Sequence, residues 1–442
     1  MKEHFFALAA RLGRDSRQDE ILLCNFGAER SDFVRFNQGK VRQAGSVEQR
    51  SVSLRLVRGR RQASATAAIA GTGEDLNLLQ DTLGRLREAL EGLPEDPWLL
   101  INEEPRSTTS ERRGKLAPAE AVVQQAVSAA QQQGSIRDLV GIYAGGTIYR
   151  GFANSLGQRN WHEVDSFNFD CSLYLQGDQA VKTGYAGLVW EEGIFRQKVD
   201  AAAQRLRFLG MEQRRMEPGE YRVYLAPKAL EELAGLLSWG GFSARARATK
   251  QSPLLRMEHG QRLSAKVHLS ERTEDGVAAP FQGDGFVKPA SVTLIEEGGL
   301  GDALVSPRSA KEYSLATNAA NGGESPEALD LASGNLKETD VLAALDTGLY
   351  VSNLWYLNFS DRPAGRITGM TRFATFWVQG GRIVAPVSPL RFDDSIFRML
   401  GENLVDLTAE RELLLDPSTY GERSTSSARL PGALLRGLRF TL

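Results

Sequence analysis

Cysteine and histidine are scarce in this chain of 442 residues, with two of the first and four of the second. Cys24 and Cys171 stand far apart in apolar, strand-like surroundings, ILLCNF and FDCSLYL. That excludes a disulfide framework and predicts buried, reduced thiols of the kind a cytosolic protein carries. Glu258-His259 and His268 with Glu271 supply the residue types of a metal site at a spacing that matches no paired ligand motif, and the two histidines are read as surface-loop residues. An excess of one charge is also missing. The 53 basic and 55 acidic residues nearly cancel, and a pI near 6.2 argues against nucleic acid or an anionic membrane as the main partner. Local arginine clusters at Arg58, Arg60 and Arg61 and at Arg245 and Arg247 have no aromatic platform beside them, and read as solvated element ends. No run reaches the roughly 20 apolar residues that cross a bilayer. The opening MKEHFFALAARLGRDS is too short and too charged for a secretory core. A cytoplasmic protein of two or three domains, without a membrane span, is the expectation.

What is present alternates between runs of strands and isolated helices. Four strands are predicted between residues 20 and 70, as ILLCNF, DFVRFNQGKV, SVSLRLVRG and RQASATAAI, the alternation being clearest at Val52, Leu54 and Leu56. A helix is predicted from Glu74 to Leu90 with Leu76, Leu79, Leu83 and Leu86 along one face, and a second from Ala119 to Gln132, stopping at Gly134. The polar, proline-bounded stretch 105–118 reads as a linker or loop. Strands resume at Ile136, a helix covers Glu192 to Glu212, and Pro218-Gly219 marks a boundary between domains 1–217 and 218–442. The second domain opens with a strand, YRVYLAP, and a helix from Lys228 to Leu237 that Gly240-Gly241 interrupts. Residues 314–338 read as loop, and Asp393-Asp394-Ser395 as a helix N-cap before Ile396. GGLG at Gly298 to Gly301 lacks the following Gly-Lys-Ser/Thr of a phosphate loop. The fold class is therefore α+β, two domains of mostly antiparallel sheet with flanking helices.

The most specific stretch runs from Tyr350 to Val387. Aromatics at Trp355, Tyr356, Phe359, Phe373, Phe376 and Trp377 interleave with Asn353, Asn358, Ser360, Thr368, Thr371 and Thr375, predicting two strands. Asp361 to Gly369, with Pro363, Gly365 and two arginines, is the connection between them. SNLWYLNFSDRPAG and RITGMTRFATFWVQGGRIVAPV resemble the carboxy-terminal domain of the TldD/PmbA family of metalloprotease-related proteins, also called modulators of DNA gyrase. SLRLVRGRRQASA (Ser53 to Ala65), ANSLGQ (Ala153 to Gln158) and the stretch Pro280 to Tyr313 are similar to family elements in the same order, so the resemblance spans nearly the whole chain.

The resemblance implies a site and also its loss. Active members carry His-Glu-x-x-x-His on the helix after the domain's first strand, and a cysteine near the carboxy terminus completes the zinc ligands. Here Ser238 and Ser243 fall at the histidine positions, Trp239 falls at the glutamate position, and no cysteine follows Ser424. A neutral hydroxyl is too poor a donor for zinc, and indole cannot act as a general base. The implied function is a PmbA/TldE-like subunit with no cofactor of its own, beside a TldD-like paralogue that carries zinc. Together the two would enclose unfolded peptide, with Trp355, Tyr356, Arg366 and Arg372 as candidate peptide contacts. Two alternatives are a stand-alone homodimeric peptide-binding or regulatory protein, and an active metallopeptidase with an unrecognised site.

Overall fold

The computed structural model describes residues 1–132 and 138–441. Gly134, predicted to end a helix, and Ile136, predicted to resume a strand, lie outside the described residues. Two sheets organise the chain, and the α+β, mostly antiparallel class predicted from the sequence is what the structure shows.

The first sheet is built from β1 (Glu20–Asn37), β2 (Lys40–Arg58), β3 (Arg61–Ala68), β4 (Thr108–Arg112), β5 (Asp138–Asn154), β6 (Arg159–Gln176) and β7 (Gln179–Gly187), in the order β3-β2-β1-β5-β6-β4 with β7 also on β6. Helices α1 (Lys2–Arg14) and α2 (Asp75–Glu91) cover one region of it, where Leu8, Leu12, Leu79 and Leu83 pack on Leu22, Leu54 and Leu56. This is the amphipathic stripe read from the leucine spacing.

Two local readings change. ILLCNF and DFVRFN are one continuous strand, because two of the polar residues between them, Glu29 and Ser31, are buried and bonded: Glu29 accepts from Ser31 Oγ and Gln49 Nε2. The 105–118 stretch, read as linker or loop, contains β4, which pairs in parallel with β6 from Thr108↔Asn160 to Arg112↔Val164. Beyond that point β7 takes over β6 from Phe167 onward, so the polar stretch completes an edge that β7 leaves open.

The second sheet comprises β8 (Gly219–Leu225), β9 (Leu269–Glu271), β10 (Val292–Glu296), β11 (Gly299–Leu300), β12 (Ala328–Leu331), β13 (Gly348–Asp361), β14 (Arg366–Gln379), β15 (Arg382–Pro386), β16 (Arg391–Ser395), β17 (Leu404–Leu415) and β18 (Ser427–Phe440). Its pairings close on themselves, running β8-β13-β14-β16-β18 and back to β8. Inside lie Leu354, Ile367, Phe392 and Leu438, packed with Leu230, Leu233 and Leu237 of a helix introduced below. Two more corrections fall here. Residues 314–338, read as loop, contain β12, whose four residues are all buried. Asp393-Asp394-Ser395, read as a helix N-cap, is the end of strand β16, and the capping is confined to Ser395, whose Oγ accepts from Phe397 N where the helical turns begin at Ile396.

The two sheets share one apolar core. Helix α3 (Ala119–Gln132) and α4 (Glu192–Leu209) supply Val122, Phe195, Val199 and Leu206, which meet Tyr350, Phe376 and Val378 from the outer face of the second sheet. Two polar joints reinforce it. Arg423, 7% exposed, donates to Ser31 Oγ, Gly146 O, Ser166 O and Ser166 Oγ across the sheet junction. His162 on β6, 1% exposed, bonds Val277 O through Nε2 at 3.1 Å and Ser110 Oγ through Nδ1 at 3.2 Å. No helix among the described residues is long and apolar enough to cross a membrane.

Candidate functional site

The helix that would bear a metal in the resembled family is α5 (Pro227–Ser238). Pro227 at its first turn needs no amide partner, and Leu230, Leu233, Leu236 and Leu237 bury one stripe. The helix ends at Ser238. Trp239 has non-helical angles (φ −76, ψ 74), Gly240 takes φ +83, and a Cβ on Gly241 would stand 2.3 Å from Leu237 O. Only glycine tolerates these two positions. The chain then turns and restarts as α6 (Ala244–Ala248), for which Ser243 is the N-cap, accepting from Ala246 N at 3.0 Å. Ser238 and Ser243 therefore lie on either side of a helix break.

Each of the three aligned side chains has a structural partner. Ser238 Oγ donates back to Ala234 O at 2.8 Å. Ser243 Oγ donates to Glu324, a fully buried carboxylate that also accepts from Arg245 N, Ser306 N and Ser306 Oγ. Burial alone would raise the Glu324 carboxyl; the Ser243 hydroxyl and the backbone amides of Arg245 and Ser306 outweigh it and hold it below the usual carboxylate range. Trp239 is 62% exposed, and Arg362, from the turn between β13 and β14, lies over its ring.

The second group of predicted residues sits on the outer surface of β13 and β14. Tyr356 and Phe373 both adopt left-handed backbone angles (φ 57 and 56), a conformation costly for aromatic residues, beside register shifts in the β13–β14 ladder. The irregular backbone leaves Trp355 and Tyr356 facing solvent at 48% and 75% exposure. Their ring centres are 5.7 Å apart, and the Arg372 guanidinium lies 4.0 Å from the Trp355 ring centre. Arg366 lies further along β14 and binds Asp393 of β16 at 2.5 Å. Three of the four predicted contacts thus form one cluster, and the fourth stands apart in an ion pair.

Three residues of this region escaped the sequence reading. Arg391 lies register-opposite Met370, and so on the same outer face as Trp355, its other row-mate. Glu324 meets Ser243 across 81 residues of sequence, a contact that no local pattern signals. Arg362 was visible as an arginine in a turn, but nothing local tied it to Trp239.

Residues 218–442 match the model of the PmbA/TldA metallopeptidase C-terminal domain. No curated protein matches the chain in sequence. Among solved structures, TldE from Thermococcus kodakarensis superimposes with a TM-score of 0.76 at 14% identity, covering 99% of this chain and 100% of that one. A candidate modulator of a DNA gyrase from Thermotoga maritima gives 0.75 at 14% identity, over 100% and 99%. A candidate modulator of DNA gyrase from Bacteroides thetaiotaomicron gives 0.76 at 15%, over 100% and 98%. At such identities the likeness is one of fold, but the family match spans more than half of the chain, and the chain belongs to the PmbA/TldD family of metallopeptidase-related proteins.

Proposed function

We propose that this chain is the zinc-less, TldE-like subunit of a metalloprotease of its family, a cytoplasmic protein that walls the chamber in which a zinc-bearing TldD-like paralogue cleaves unfolded peptide. The observation that carries the reading is the state of the α5–α6 junction. Zinc needs imidazole, thiolate or carboxylate donors set around one point. Ser238 and Ser243 are hydroxyls engaged elsewhere and divided by a helix break, and Trp239 cannot take a proton from water. Glu324, the carboxylate that touches Ser243, has four donors on its two oxygens and no free lone pair directed outward. These residues do not fit a zinc ion, and no chemical step is assigned to them. Among the described residues no group of three or more His, Cys, Asp and Glu could hold a metal.

The exposed Trp355, Tyr356 and Arg372 suit contact with an extended peptide, in which rigid aromatics supply area and guanidinium supplies polar anchoring. The test is to purify the chain alone and mixed with its His-Glu-x-x-x-His paralogue, then to measure mass and cleavage of an unfolded peptide. A mixed complex whose cleavage exceeds that of the paralogue alone supports the reading. Failure to associate, with cleavage unchanged by mixing, overturns it, and self-association alone would favour the homodimeric alternative.

A further inference from the structure

The outer face of β13, β14 and β16 carries more positive charge than its own carboxylates neutralise. Arg366, Met370 and Arg372 alternate along β14 at the two-residue period that places them on one face. Arg391 of β16 stands opposite Met370 and lines, with Arg366 and Arg439 of β18, an adjoining cleft of about 760 Å³. Two of these arginines are neutralised: Arg366 by Asp393, and Arg439 by Glu220 at 3.3 Å. The other two have no carboxylate partner among the described residues. Arg372 contacts only the Trp355 and Phe373 rings, and Arg391 only Thr368 Oγ1, at 3.4 Å. In a chain of net charge −2, two unpaired guanidiniums on neighbouring strands are a local reversal of sign. Their register is diagonal, which sets their Cα atoms roughly 7–8 Å apart, within reach of one carboxylate from both sides.

We propose that this face binds acidic segments of an extended peptide, with Arg372 and Arg391 clamping an Asp or Glu side chain while Trp355 and Tyr356 cover the neighbouring residue. The inference rests on the chamber-wall reading and names the class of peptide that this wall selects. Guanidinium is suited to the task because its fork matches the two oxygens of a carboxylate. The stacking of Arg372 on Trp355 holds that fork in place before the peptide arrives, which reduces the ordering cost of binding. Arg366 is left out of the clamp because its charge is already paired with Asp393.

The experiment uses the full chain and three labelled peptides of one length, read by fluorescence anisotropy. The first is C-terminally amidated with two Asp/Glu residues, the second is its Asn/Gln counterpart, and the third is that neutral peptide with a free terminal carboxylate. The acidic amidated peptide is expected to bind about tenfold more tightly than the neutral one at low salt, the gap shrinking as salt rises. Arg372→Gln and Arg391→Gln should each remove most of the gap, whereas Arg60→Gln, on the turn between β2 and β3, should leave it intact. Arg391→Glu, at an exposed position, should reverse the preference. Equal binding of the acidic and neutral peptides overturns the proposal and leaves the chamber-wall reading standing. A gain confined to the peptide with the free terminus overturns the side-chain assignment. Binding of none of the three also overturns the proposal, and the chamber-wall reading is then judged separately by association with the zinc-bearing paralogue.

Discussion

The Arg362 guanidinium lies 5.1 Å from the centre of the Trp239 ring and donates through Nη2 to the Trp239 carbonyl and through Nε to Gln251 O. It is close enough that a Cβ on Gly240 would stand 2.6 Å from Nη2. A cation therefore sits at the helix break where the resembled family places a metal-binding helix. Arg362→Ala should cost about 1–2 kcal/mol and expose Trp239 further, read as a lower denaturant midpoint and a red-shifted emission. Arg362→Lys should recover little, since ammonium cannot make the paired donation.

Ser243 ties two features together, the α6 cap and the Glu324 carboxylate. Ser243→Ala removes a cap and one of four donors to a buried anion, and should cost about 2 kcal/mol by chemical denaturation. Changing Ser238→His, Trp239→Glu and Ser243→His together should still yield no stoichiometric zinc by metal analysis, because the helix break keeps the two positions off one face. Tight zinc binding by that triple variant would show the break to be plastic.

His162 is buried at the sheet junction, and burial, with Arg112 and Arg150 also nearby, lowers it from 6.5 to about 4. In the neutral ring Nε2 donates to Val277 O while Nδ1 accepts from Ser110. Between these two pH values the unfolded chain binds the proton and the folded one does not, so stability rises with pH across that window. The expected loss on acidification from pH 6.5 to 4 is about 3 kcal/mol, complete below pH 4. His162→Gln should flatten this slope in denaturation curves taken across the range.

Arg423 places four donor contacts on the first sheet from a loop of the second half. Arg423→Ala strands buried acceptors and should cost about 3 kcal/mol. Calorimetry should show this as one transition at a lower Tm, because the apolar core that α3 and α4 form with both sheets still joins them.

The parts of the fold legible in the sequence were those set by local pattern. The leucine stripe of α2, the Lys228 to Leu237 span and glycine stop of α5, and the β13–β14 pair all follow from spacing and turn chemistry. What escaped depended on distant partners. Polar residues inside β1 look like a break until Gln49, from β2, and Arg423, from the far end of the chain, satisfy Glu29. β4 and β12 are short, and tertiary pairing rather than propensity makes them strands. In the site, Trp355, Tyr356 and Arg372 were named from the sequence as candidate peptide contacts, and they cluster. Arg391 was not, because only sheet register brings it beside Met370.

The central claim is that this chain has no zinc site of its own, and metal analysis of the purified chain after zinc loading and desalting tests it most directly. The account predicts less than one tenth of an equivalent of zinc and no chelator-sensitive cleavage of an unfolded peptide by the chain alone. One equivalent of zinc together with cleavage that a chelator abolishes would contradict it.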